Sequence, residues 1–134
     1  MSIESWRSAV AEALDGMPGL SCPDPYITDQ VNPPQAVIYI NQISYDVTFA
    51  RGADSFEFSI MVLDQRTDER ATQRRLDVWR DGTLEGSIKH VLENDPAVAA
   101  ECDYTRVVSA SELTEATVSG VGLLVVEFLG EVVL

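Results

Sequence analysis

Between Ile43 and Leu63 apolar and polar residues alternate one by one on both sides of a short glycine-containing interruption. Tyr45, Val47 and Phe49 alternate with Ser44, Asp46 and Thr48. Arg51-Gly52-Ala53-Asp54 breaks the pattern, and Phe56, Phe58, Ile60 and Val62 then alternate with Ser55, Glu57 and Ser59. Successive side chains of a strand point to opposite faces, so period two on both sides of a turn signal predicts a β-hairpin. One face is aromatic and β-branched and the other mostly polar, as in an antiparallel sheet with one covered and one wet face. Met61 and Leu63 interrupt the polar face, which predicts partial cover at that end.

The flanks supply helices to cover the apolar face. Ser2 is placed to cap a helix from Ile3 to Asp15, with Ile3, Trp6, Ala9, Val10, Ala13 and Leu14 on one stripe and Glu4, Arg7, Ser8 and Glu12 facing away. Trp6 is read as core rather than as a partner anchor. Gly16 stands where a left-handed cap is wanted, and Pro18 prevents continuation. Leu20 to Cys22 reads as a short strand, Pro23 to Pro34 as a proline-rich loop, and Ala36 to Ile40 as a strand covered on both faces, with Asn41-Gln42 turning into the hairpin.

After the hairpin a helix is predicted from Thr67 to Arg80, with Ala71, Thr72, Leu76, Val78 and Trp79 on its apolar stripe, and Thr67 offers a cap. Gly82 ends it. A second helix from Thr83 to Asn94 turns Leu84, Ile88, Val91 and Leu92 inward and stops at Asp95-Pro96. Ala97 to Asp103 reads as a loop or short turn, Tyr104 to Ser109 as a strand centred on Val107, and Ser109 to Thr114 as irregular. Val118 to Leu134 is apolar on both faces, which predicts a central strand or one covered by a second chain, with Gly130 marking a bulge. The sum is one α+β domain over residues 1–134, mainly antiparallel sheet, with an N-terminal helix and a central helical pair packed on it.

Composition narrows the partners. The chain has 134 residues, 46% of them hydrophobic, and a formal charge of −13 from 22 acidic and 9 basic residues. Such acidity repels polyanions, so tight binding to nucleic acid or to an anionic membrane is not expected. No stretch reaches the roughly 18 apolar residues of a membrane span, and the basic-then-apolar start of a signal peptide is missing. Cys22 and Cys102 show no CxxC pattern and are expected as reduced thiols.

The search for chemistry is mostly negative. His90 is the one histidine, so no histidine-based metal site is available within a single chain, and neither cysteine has an obvious base. No phosphate-binding or zinc-protease motif occurs, and Gly120 and Gly122 carry a turn signature. Pairs such as Asp24 with Asp29, or Glu112 with Glu115, show no calcium-loop pattern. No catalytic, cofactor-binding or metal-ligating residue is assigned, and no cofactor is expected. A small enzyme or ligand-binding domain would instead need a polar pocket around Cys22, His90 or Cys102.

The sharpest local feature is basic. Arg66, Arg70, Arg74, Arg75 and Arg80 are five of the nine basic residues; with Asp68, Glu69, Asp77 and Asp81 their stretch carries +1, leaving −14 for the rest of the chain. Two readings stand side by side. Either the helix is a solvated face with internal pairs such as Asp77 with Arg74 and Arg80, or unpaired guanidiniums meet carboxylates of a neighbouring subunit. The interface candidates are these five arginines, Arg51 in the hairpin turn, and Leu134 at the end of a final strand that has no polar tail.

A resemblance enters on the order of several stretches. The N-terminal helix ends in Gly16-Met17-Pro18-Gly19, and Gln30-Val31-Asn32-Pro33-Pro34 leads into an apolar strand. Ile43-Ser44-Tyr45-Asp46-Val47-Thr48-Phe49 turns through Arg51-Gly52-Ala53-Asp54 into a second strand, and Arg75-Leu76-Asp77 and Gly86-Ser87-Ile88-Lys89 lie on the helices that follow. Over most of its length the chain resembles the tail terminator proteins of long-tailed bacteriophages, especially those infecting actinobacteria. These motifs are structural, not catalytic. The resemblance implies a ring, usually a hexamer in that family, at the head-proximal end of the virion tail and assembled in the host cytoplasm. Such a ring stops polymerisation of the tail tube and offers a surface for head joining. Its implied partners are copies of itself, the major tail tube protein and a head-completion or connector protein, with DNA passing through the lumen without tight binding. A head-completion or neck protein of the same virion is the nearest alternative.

Overall fold

The computed structural model describes residues 2–26, 32–45, 54–65, 69–118 and 120–134. Its elements are α1 (Ile3–Asp15), β1 (Gln35–Ser44), β2 (Ser55–Gln65), α2 (Glu69–Arg80), α3 (Ile88–Asn94), α4 (Pro96–Ala99), β3 (Tyr104–Ala110), β4 (Thr114–Val118) and β5 (Val121–Val133). The strands form a five-stranded antiparallel sheet in the order β1-β2-β5-β3, with β4 also pairing β5. The α+β architecture read from the sequence therefore holds, with helices gathered on one face of a mainly antiparallel sheet.

The alternation of β2 determines which face they cover. Phe56, Phe58, Ile60 and Val62 are buried in the main core with Leu124, Val126, Phe128 and Val132 of β5 and with Leu14, Leu76, Trp79, Ile88 and Leu92 from the helices. Trp6 is fully buried and meets Phe56 edge-on at 4.9 Å and Phe58 at 5.0 Å between ring centroids. Its indole Nε1 donates to Thr105 Oγ1 at 3.1 Å, so the one polar atom of the ring is satisfied on β3. Trp6 is thus core. On the opposite face Val37, Leu63, Leu123 and Val125 form a smaller cluster with Tyr39, Met61 and Ala116 packed against it, the partial cover expected at Met61 and Leu63.

Several boundaries differ from the sequence reading. Asn41-Gln42 is no turn: β1 runs through it with a bulge between Ile40 and Gln42, and Asn41 Nδ2 donates across to Ser59 Oγ at 2.6 Å. A side chain that reaches the neighbouring strand holds the extra residue in the ladder. The hairpin thus joins Gln35–Ser44 to Ser55–Gln65; Tyr45 lies beyond β1 and is exposed, and Val47, Phe49 and the turn at Arg51 to Ala53 lie outside the described residues. The short strand expected at Leu20 to Cys22 reduces to one parallel bridge between Ser21 and Gln35.

The helices differ in similar ways. Ser2 caps α1 as expected, in a capping box whose second member is Ser5. Gly16 is right-handed, and the positive φ falls at Gly19, +79°. Thr67, the expected cap of the second helix, lies outside the described residues. Ala71 and Val78 are exposed, and from Arg70 to Arg80 α2 buries Thr72, Leu76 and Trp79. The helix placed from Thr83 begins at Ile88, because the Ser87 hydroxyl caps it by accepting from His90 N, while Leu84 stays exposed in the preceding turns. Asp95-Pro96 ends α3 and also starts α4: Asp95 accepts from the amides of Ala97 and Val98, and Pro96 occupies the first turn, where no N–H is needed. The expected final strand forms as β5 from Val121 to Val133, and β4, not read from the sequence, precedes it and pairs back on it, with Gly120 between them at φ +79°.

Gly130 has a different role from the one expected. β5 pairs with β2 through Gly130 without a break, and the bulge lies on the neighbouring strand between Val107 and Ser109. A Cβ at position 130 would lie 2.3 Å from Phe58 Cζ and 2.5 Å from the Arg106 carbonyl oxygen. Glycine is required because a core ring packs against the backbone itself. Gly130→Ala should therefore lower stability by about 1–3 kcal/mol or more, read as a lower denaturant midpoint; an unchanged midpoint would contradict this packing.

Candidate functional site

The arginine-rich helix is held to the sheet by a clamp. Asp64, at the end of β2, has a fully buried side chain, and Arg75 binds it with two hydrogen bonds, Nε to Oδ2 at 2.8 Å and Nη2 to Oδ1 at 2.6 Å. The hydrogen bonds to Asp64 raise the Arg75 pKa, which keeps the guanidinium charged. Thr72 Oγ1 donates to the Gln65 carbonyl at 2.7 Å, and Leu76 and Trp79 enter the core, which fixes the rotation of α2.

That rotation sorts the candidate arginines. Arg75 is spent on Asp64. Arg80 donates from Nη2 to Asp77 at 2.6 Å and from Nη1 to the Ser111 carbonyl at 3.2 Å. Arg70 and Arg74 are exposed, and neither holds a hydrogen bond or ion pair among the described residues. Arg51 and Arg66 lie outside the described residues. Leu134 is half-buried: it packs against the main core and its N–H donates to the Asp54 carbonyl at 2.9 Å, so it closes the sheet's end rather than projecting from it. The reading of internal pairs is therefore realised in part. The internal pair between Asp77 and Arg80 forms, and Arg70 and Arg74 remain as the outward cations.

The opposite face of the sheet is acidic where it is wet. Phe56 and Val132 face the main core, so Glu57 and Glu131 point the other way, and the register sets them directly across from each other. On the same rung Gln42 lies beside Glu57 and Arg106 beside Glu131. Glu131 accepts from the Tyr104 hydroxyl, a bond that raises the tyrosine pKa. Next to this rung a depression of about 250 Å³ has Gly130 in its lining, with Asn41, Val108 and Leu129 among the other residues; Val108 is 55% and Leu129 41% exposed. Sequence reasoning did not single out Glu57 and Glu131. The signal was present in the alternation of β2 and in the acids that interrupt the final apolar run.

Each of the outer strands β1 and β3 is capped by side chains at one position. Val107 on β3 donates its N–H to Glu93 Oε2 at 3.2 Å and accepts from Lys89 Nζ at 3.0 Å, so an ion pair on α3 occupies both backbone groups. On β1 the Ile38 carbonyl accepts from Arg7 Nη1 at 3.1 Å. Arg7, expected to face away, instead reaches this edge and stacks over Tyr26 at 4.9 Å. Such capping is how sheets discourage addition of a further strand.

Nucleophiles and pockets offer less. Cys22 and Cys102 are free and buried. Burial, with Asp15 and Asp24 adding to it, pushes the Cys22 thiol up to about 11, the reverse of an activated cysteine. A depression beside Cys102 holds only about 170 Å³, below the roughly 300 Å³ of small-molecule sites. A larger hollow of about 650 Å³ between α1 and α4 opens to solvent along Ser2, Ser5, Glu12 and Glu101. His90 lines none of these three. Among the described residues no group of three or more His, Cys, Asp or Glu converges as a metal site, and no helix is long and apolar enough to cross a membrane. No protein-family model matches the chain, and no curated protein is significantly similar to it.

Two measurements check this geometry. Arg75→Ala leaves the buried Asp64 carboxylate without its cation and should cost on the order of 3 kcal/mol, while Arg74→Ala should stay within about 0.5 kcal/mol in the same denaturant titration. Because the folded pKa of Cys22 lies above the unfolded one, its contribution is complete below about pH 9 and is lost as pH rises toward about 11. Wild-type stability should therefore fall more steeply over that interval than that of Cys22→Ala; parallel curves would refute the assignment.

Proposed function

We propose that this chain is the subunit of a ring that caps the tail tube of a long-tailed bacteriophage, ends tube polymerisation and presents the surface for head joining. The observation that carries this reading is that the sheet holds one pair of outward cations apart from one pair of carboxylates. Arg70 and Arg74 stand outward on the helix-covered side, Glu57 and Glu131 on the other. A protomer with unlike surfaces on two sides associates head to tail, and head-to-tail contacts that close make rings.

The capped edges at Ile38 and Val107 support face packing over strand addition. A net charge of −13 suits a lumen through which DNA slides, since phosphate contacts are what hold DNA tightly. The resemblance of the order of stretches to that of tail terminators suggests the virion context, with the tube protein and a connector as neighbours. Purified protein should form rings in negatively stained micrographs, with a light-scattering mass near six times the 14.7 kDa of the chain. Added to purified tail tubes, it should cap them and halt growth. A protein that stays monomeric, alone and with tubes, contradicts the reading; one that binds filled heads but not tubes is a head-completion protein instead.

A further inference from the structure

We propose that the wet face of the β2–β5 ladder is the docking surface for helix α2 of a second copy of this chain, with Arg70 and Arg74 of one protomer seated over Glu57 and Glu131 of the next. The inference rests on the ring reading and adds to it which two surfaces meet.

Three observations carry it. First, Glu57 and Glu131 oppose each other on adjacent strands, a like-charge pairing that weakens a sheet. Arg106 stands beside Glu131, two strands from Glu57, so the neighbours of Glu57 on the rung are Glu131 and the uncharged Gln42. Second, Arg70 and Arg74 are one helical turn apart on α2 and exposed, while the clamp from Arg75 to Asp64 holds that helix on the far side of the sheet. The sheet thus keeps these cations from these carboxylates within one protomer, and only another copy brings them together. Third, the face is not merely charged. Leu129 and Val108 are exposed beside the acids, around a depression next to Gly130 of a size to take a long side chain. Apolar contact ringed by ion pairs is the composition of a specific interface.

Because the two surfaces differ, their roles can be exchanged. In Glu57→Lys/Glu131→Lys both surfaces are basic, and in Arg70→Glu/Arg74→Glu both are acidic. Each variant alone should lose ring assembly, with the assembling concentration raised about tenfold or more, while its circular dichroism and melting temperature stay near wild type. An equimolar mixture of the two restores complementarity at every contact of an even-membered ring and should recover the wild-type mass. Should the double lysine variant fail to fold, Glu57→Lys mixed with Arg74→Glu makes the same test. If wild type forms rings and either variant alone does too, or the mixture stays dissociated, the docking assignment is overturned and the ring reading stands. If wild type stays monomeric both at high concentration and with purified tail tubes, both fall.

Discussion

The structure depends on the antiparallel ladder between β2 and β5. Every residue of β2 has a partner on β5, from Ser55 with Val133 to Gln65 with Leu123, without a bulge. Side-chain parity is therefore carried unbroken across the centre of the sheet, and a slip by one residue would exchange its two faces. Phe56, Phe58, Ile60 and Val62 are committed to the helical side, where Trp6 lies against the first two rings. Glu57 and Glu131 are committed to the other. Irregularity is confined to the outer strands, with the β1 bulge after Ile40 and the β3 bulge after Val107 meeting the ladder at Phe58 and Gly130.

The helical layer turns that parity into a directional particle. The bidentate pair from Arg75 to Asp64 costs desolvation of a fully buried carboxylate, and such pairs add little net stability over an apolar packing of equal volume. What it contributes here is orientation: it sets the rotation of α2, sends Leu76 and Trp79 inward, and leaves Arg70 and Arg74 facing out. The ion pair of Lys89 and Glu93 on α3 does similar work at the sheet edge, where it takes up both backbone groups of Val107. With Ile38 and Val107 capped, the proposed assembly would join through faces and not by strand addition at these positions.

Much of the fold was legible because the period-two run from Ser55 to Val62 and the stripe of α1 are strong local signals. Elements failed where a tertiary contact outweighed a local one. Asn41-Gln42 carried turn residues but is held in the ladder by Ser59, and Gly130 looked like a bulge but is fixed by the Phe58 ring. The site was less legible. Five arginines looked alike in sequence, and only the buried position of Asp64 separates Arg75 from Arg74. A lone aspartate at the end of an apolar strand carries no signal of its partner. The acidic face was visible as alternating glutamates, but their opposition required the register.

The central claim is that this chain works by joining unlike faces of identical copies. A cryo-electron microscopy reconstruction of the assembled protein tests it most directly. The expected result is a closed ring with rotational symmetry, α2 of each protomer lying over the β2–β5 face of its neighbour and Arg74 within ion-pair distance of Glu57 or Glu131. A two-fold dimer in which α2 meets α2, or a particle in which both faces stay in solvent, would contradict it.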